Sequence, residues 1–146
     1  MELKHFEMED IIRKGMSNKE VMDRFYSFKI MEPTFVECLS EENVVISFPV
    51  VEWQLNGFNS MQGGFIAAAF DNVFGLLCYS STNQGAFTTL DMNLSYHRPI
   101  FLGDVLKISV TIKCIGKSIV CMTGEAFNGE NKLIASAMTN TMRLNK

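Results

Sequence analysis

Residues 56–81 read N-G-F-N-S-M-Q-G-G-F-I-A-A-A-F-D-N-V-F-G-L-L-C-Y-S-S, and they constrain the chain more than any other stretch. Asp71 is the only formally charged residue between Glu52 and Asp91. Residues 65–79 are too long for one buried strand and rich in Ala and Leu, so they predict a helix. Apolar side chains occupy nearly every side of it, which predicts a helix buried all round. The run is shorter than the roughly 20 apolar residues that span a bilayer, and it carries a carboxylate at its middle. A carboxylate in such company is costly to bury without partners, so Asp71 either reaches solvent or sits there for chemistry. Gly63-Gly64 stand in front of the helix, where paired glycines permit a tight backbone and the close approach of a ligand. The helix start adds unpaired N–H groups and the positive end of a dipole, a setting for an anion or a developing oxyanion.

The 146 residues fit one domain, 1–146, with residues 1–32 as a helical segment packed on its outside. A net charge of −3 gives no electrostatic footprint for nucleic acid. Cys38, Cys78, Cys114 and Cys121 lie far apart without a C-x-x-C, each among apolar neighbours. That pattern predicts buried free thiols in a reducing, cytoplasmic compartment. The opening M-E-L-K-H-F-E-M-E-D lacks the apolar core of a signal peptide, and no membrane partner is expected.

A short helix is expected over residues 4–14, interrupted by Gly15. Ser17-Asn18-Lys19-Glu20 fits a capping box with Ser17 as N-cap, and Val21, Met22, Phe25 and Phe28 follow at helical spacing until Pro33 ends the segment. Strands are expected at 34–39 and 44–50, joined by a hairpin-like turn. After the central helix the period switches to two. Leu90, Met92, Leu94 and Tyr96 form one face of a strand, with Thr89, Asp91, Asn93 and Ser95 on the other. Three further strands follow as an antiparallel meander, separated by Gly116-Lys117 and Asn128-Gly129. One long apolar helix among antiparallel strands predicts an α+β fold, a curved sheet wrapped around the helix. The flank turned away from the sheet needs cover from the N-terminal helices or from a second subunit.

With Asn56, then Met61-Gln62-Gly63-Gly64, then Asp71 eight residues after Gly63, the chain resembles the hotdog-fold acyl-CoA thioesterases. It looks most like the phenylacetate-degradation and 4-hydroxybenzoyl-CoA type. The family signature is an Asn, a His-Gly-Gly loop, and a helix carrying an Asp or Glu. Residues 89–96, T-L-D-M-N-L-S-Y, and 98–104, R-P-I-F-L-G-D, are similar to the strand and exit turn that follow. The resemblance covers roughly residues 34–144 and implies a hotdog fold and hydrolysis of acyl-CoA by a homodimer or a homotetramer built as a dimer of dimers. It needs no cofactor, coenzyme A being part of the substrate. One departure stands out: the family's His is Gln62 here, which hydrogen-bonds but does not titrate near neutral pH.

The resemblance implies Asp71 as general base or nucleophile, the Gly63 N–H as oxyanion donor, and Asn56, Gln62 and Thr89 as groups that orient water or the carbonyl. Each also has a plain structural reading: a capping carboxylate, a turn glycine, loop amides and a β-branched strand residue. Substrate contacts are expected from Gly64, Met92 and Asn93, and, for the phosphates of coenzyme A, from Arg98, Lys117 and Ser118 in turns. Phe58, Phe65, Phe70 and Phe74 suit either an acyl pocket or the core. A Cys-His hydrolase is rejected, since Asp91 and His97 lie on one strand about 20 Å apart and Cys78 sits in apolar company. No metal-ligand spacing, phosphate loop or dinucleotide motif is present. The rivals are a hotdog hydratase or dehydratase, disfavoured by Gln62, and a non-catalytic acyl-CoA-binding protein, disfavoured by the retained Asp71.

Overall fold

The structure, a computed structural model, describes residues 5–144. Three helices come first: α1 (His5–Ser17), α2 (Lys19–Arg24) and α3 (Tyr26–Lys29). Strands β1 (Thr34–Glu37) and β2 (Asn43–Pro49) lead through a short 3-10 turn, Glu52–Gln54, to the long helix α4 (Gly63–Ser81). Then come β3 (Phe87–Tyr96), β4 (Val105–Ile115), β5 (Ile119–Phe127) and β6 (Leu133–Arg143). All pairings are antiparallel, and the sheet order is β1-β2-β4-β5-β6-β3. The expected meander therefore holds for β4-β5-β6, but β3 lies against β6 at the far edge and residues 97–104 carry the chain back to β4.

The sheet curls around α4, the arrangement expected of the α+β hotdog fold. Ile66, Ala69, Phe70, Val73, Phe74 and Leu77 are its buried side chains against the strands. Gly124 on β5 makes room for this: a Cβ there would lie 2.9 Å from Val110 Cγ1 and 3.0 Å from Phe70 Cε1. Buried Asn43 ties the β1–β2 turn to β4, donating to Val110 O at 2.9 Å and accepting from Leu39 N at 2.9 Å.

Several expectations change. Helix α4 is buried on one face rather than all round, because the sheet of one chain wraps only one side. Its other flank, from Gly64 through Ala67, Ala68 and Asp71 to Leu76, is half-buried or exposed, and α1 and α3 cover part of it. With 19 residues α4 is long and apolar enough to cross a bilayer by length and composition, yet its sheet-facing side chains are committed to the core. Helix α1 runs through Gly15, and the N-cap of α2 is Asn18, whose Oδ1 accepts from Val21 N at 3.1 Å. Ser17 closes α1 instead. All four cysteines are free, but only Cys38 and Cys78 are buried. Cys114 is exposed and faces the half-buried Cys121 across the β4–β5 ladder. Burial pushes the Cys38 thiol up to about 12 and also raises that of Cys78, which keeps both protonated and inert.

Candidate active site

Asp71 projects from the middle of α4, exposed in the single chain. Thr89 Oγ1 donates to its Oδ1 at 2.9 Å. This contact depends on a bulge. The β3–β6 register shifts between Thr89 and Asp91, and a bulge re-aims the side chains on its two sides. Ahead of it, Thr89 meets Asp71 and Phe87 packs toward Gly75 of α4. After it, Met92 and Leu94 pack on the core and Tyr96 reaches the helix start. Strict alternation put Thr89 on the polar face opposite Met92, Leu94 and Tyr96. The structure sends all four toward the helix and leaves Leu90 49% exposed.

At the other end of the helix, Gln62 is the N-cap residue with extended backbone (φ −61°, ψ 138°). Its carbonyl accepts from Phe65 N and Ile66 N, while its exposed side chain makes no cap bond. The amides of Gly63 and Gly64 thus start the helix without a side-chain acceptor, as an oxyanion site requires. Tyr96, which sequence reasoning assigned only to an apolar face, donates its hydroxyl to Gly63 O at 2.7 Å. Its ring lies so close that a Cβ on Gly63 would meet it at 3.1–3.3 Å. The signal was faint: one aromatic at the end of the strand that also carries Thr89.

Asn56 sits in the loop ahead of the helix. Its Oδ1 accepts from Phe58 N at 2.8 Å and Ser60 N at 3.2 Å, and its Nδ2 donates to Ser60 Oγ at 2.9 Å. Those bonds shape the loop ahead of Gly63 and use one of the two Nδ2 hydrogens. Phe70 and Phe74 stack in the core with ring centres 5.9 Å apart, Phe65 packs edge-on against Trp53, and Phe58 is 87% exposed. None of the four lines the cavity beside Asp71.

The expected coenzyme contacts fall into separate groups. Arg98 donates to Leu133 O at the start of β6. Lys117 and Ser118 lie in the β4–β5 turn, where Ser118 O accepts from Arg143 N at the end of β6. Ten strand steps separate those ends, about 34 Å, so one chain does not bring the three to one pocket mouth. Met92 and Asn93 line a groove with Lys113, Cys121 and Thr123. Gly64 is exposed beside Gln62. Asp91 and His97 each bond elsewhere, to Asn140 and Ser136, and form no triad. Among the described residues no group of three or more His, Cys, Asp or Glu gathers as a metal site.

A model of the thioesterase superfamily matches residues 58–135, more than half of the chain and the whole span from the glycine loop to β6. The chain belongs to the thioesterase superfamily. Among its relatives, Ta0293 of Thermoplasma acidophilum, named as an esterase, is 32% identical over 106 residues, 70% of this chain and 77% of that protein. A 3-hydroxyacyl-[acyl-carrier-protein] dehydratase, FabZ of Geotalea uraniireducens, is 28% identical over 103 residues, 66% of this chain and 70% of that one. In solved structures the same fold recurs in the PaaI protein of the E. coli phenylacetic acid degradation operon. The TM-score is 0.78 at 24% identity, covering 92% of this chain and 96% of that one. A thioesterase-named protein from Streptococcus pneumoniae, solved with coenzyme A, matches with a TM-score of 0.77 at 20% identity, covering 86% and 97%.

Proposed function

We propose that this thioesterase hydrolyses acyl-CoA to a free carboxylic acid and coenzyme A, in a site shared by two copies of the chain. The observation that carries the reading is the Thr89–Asp71 hydrogen bond. It orients the carboxylate through Oδ1 and leaves Oδ2 without a hydrogen bond among the described residues. A water on Oδ2 attacks the thioester carbonyl carbon as Asp71 takes its proton. The tetrahedral oxyanion accepts from the Gly63 N–H, with the α4 dipole behind it. Collapse expels the coenzyme A thiolate, which takes the proton back from Asp71. Direct attack by Asp71 Oδ2 through a mixed anhydride balances equally and also ends in hydrolysis.

Geometry argues for two chains. Gly63 and Asp71 are eight residues apart on one helix, about 12 Å along its axis. Both groups must come within about 3 Å of the same reacting centre. Strand β3 is ten residues long and, among the described residues, pairs with no strand on its outer edge. A two-fold that joins two β3 edges antiparallel sets the Asp71–Thr89 end of one chain against the Gly63–Tyr96 end of the other. It also brings Lys117 and Ser118 of one chain toward Arg98 of its partner, which resolves their separation within one chain. The bound coenzyme A of the S. pneumoniae relative supports a coenzyme A ester as substrate.

Similarity to a dehydratase supports a second reading, loss of water from a 3-hydroxyacyl thioester. That chemistry pairs an imidazole with an acid, and Gln62 stands where the imidazole would be. The test is release of free thiol from a panel of acyl-CoA esters by purified protein. Wild type is expected to release thiol, and Asp71→Asn to lower kcat/KM by about 10²- to 10⁴-fold, the usual contribution of a general base. Water loss from 3-hydroxyacyl esters without thiol release would favour the dehydratase instead.

A further inference from the structure

A cavity of about 500 Å³ lies between the N-terminal helices and the outer flank of α4. Met16, Met22 and Phe25 form one wall, Leu76 and Phe87 the other, and Asp71 and Thr89 belong to its lining. Of its remaining polar groups, Asp10, Lys14, Asn18 and Asn72 are engaged. Lys14 pairs with Asp10 at 2.8 Å, and Asn72 accepts from Ser27 Oγ at 3.1 Å. The space is therefore mostly apolar and adjoins the proposed reacting groups.

We propose that this cavity is the acyl subsite and that it takes a long unbranched hydrocarbon chain. The proposal rests on the reading of this protein as an acyl-CoA thioesterase. A thioester carbonyl at Asp71 directs its acyl group into the cavity and its coenzyme A away from it. Size sets the class. At about 30 Å³ for a group the size of a water or methylene, the cavity holds on the order of a dozen or more carbons. An acetyl group would leave it nearly empty, and an arylacetyl group of eight carbons would fill roughly half. Glycines keep it open. A Cβ on Gly75 would meet Phe87 Cζ at 3.1 Å, so the missing side chain lets that ring come close to α4. A Cβ on Gly15 meets nothing within 4 Å. The N-terminal helices thereby become specificity elements.

The test uses two series on the intact protein: non-hydrolysable S-alkyl-CoA thioethers for binding, and straight-chain acyl-CoA esters from acetyl to dodecanoyl with phenylacetyl-CoA for hydrolysis. Each buried methylene is expected to tighten Kd about fourfold, and kcat/KM is expected to rise with length in the same way until the cavity is filled. Gly15→Leu improves helix propensity and places its Cβ in open space, and Met22→Trp narrows the same wall. Each is expected to cut the dodecyl-to-butyl affinity ratio at least tenfold. Hydrolysis that is indifferent to length, or fastest for acetyl or phenylacetyl, overturns the acyl subsite and leaves the thioesterase reading intact. Length-dependent thioether binding without hydrolysis of any ester does the reverse. A ratio unmoved by both variants also overturns the subsite.

Discussion

Asp71 is an exposed carboxylate held by one hydroxyl, and that contact makes its role testable residue by residue. Thr89→Ala removes a hydrogen bond to a charged group, worth about 1.5–3 kcal/mol, so kcat/KM should fall about 10- to 100-fold, less than for Asp71→Asn. The measurement is thiol release at saturating and limiting substrate. Gln62 has no titration near neutrality, so the wild-type pH–rate profile should lack a step from this loop. Gln62→His should remain active and add a limb between about pH 6 and 7; an unchanged profile would show that this position does not face the reacting groups. Asp71 was legible in the sequence because it is the one charge in a long apolar run. The part Asn56 plays in the loop was not, since its three hydrogen bonds to Phe58 and Ser60 have no mark in the sequence. Tyr96 was hidden because nothing in the chain tells that its hydroxyl meets the Gly63 carbonyl.

At the scale of elements, the bulge in β3 is the device that matters. Deleting Leu90 should remove the bulge and leave Thr89 on the Met92 side of a regular ladder, still facing Asp71. The folded deletion variant should therefore release thiol faster than Thr89→Ala does; activity as low as that of Thr89→Ala would mean that the shared face alone does not position Thr89. Sequence alternation found this strand and its length but not the shift, because a bulge is a property of the β3–β6 ladder rather than of one strand's pattern. The N-terminal helices were also found, with the wrong cap, since Asn18 and Ser17 are both good N-cap residues and side-chain direction decides. They are tied together by Asp23, which bonds Lys19 at 2.6 Å and Lys29 at 2.5 Å. Those hydrogen bonds hold its carboxyl at about 2, below the ordinary 3.8. A depressed carboxyl contributes stability above its unfolded pKa and loses it as pH falls through the folded one. The stability difference between wild type and Asp23→Asn should therefore be constant above about pH 4 and shrink between pH 4 and 2, as read from urea midpoints. A difference independent of pH across that window would contradict the staple.

For the whole molecule, the single chain leaves one apolar side uncovered. The free edge of β3 and exposed apolar groups such as Leu90 and Tyr96 lie on the side where the proposed second copy would sit. The fold was legible because one apolar helix among antiparallel strands has few ways to be covered. The sheet's strand order was not, since nothing local says that β3 pairs with β6 instead of β4. The central claim is that Asp71 of one chain works with the Gly63 N–H of its partner, and mixed dimers test it most directly. Gly63→Pro deletes the N–H at the first helical position, where proline is well accommodated and the extended Gln62 suits a following proline; the Tyr96 ring need yield only slightly. Asp71→Ala and Gly63→Pro should each be inactive alone, while purified mixed dimers should regain one of two sites, about half the wild-type kcat per dimer. Folded mixed dimers with no recovered thiol release would contradict the shared site and place both groups within one chain.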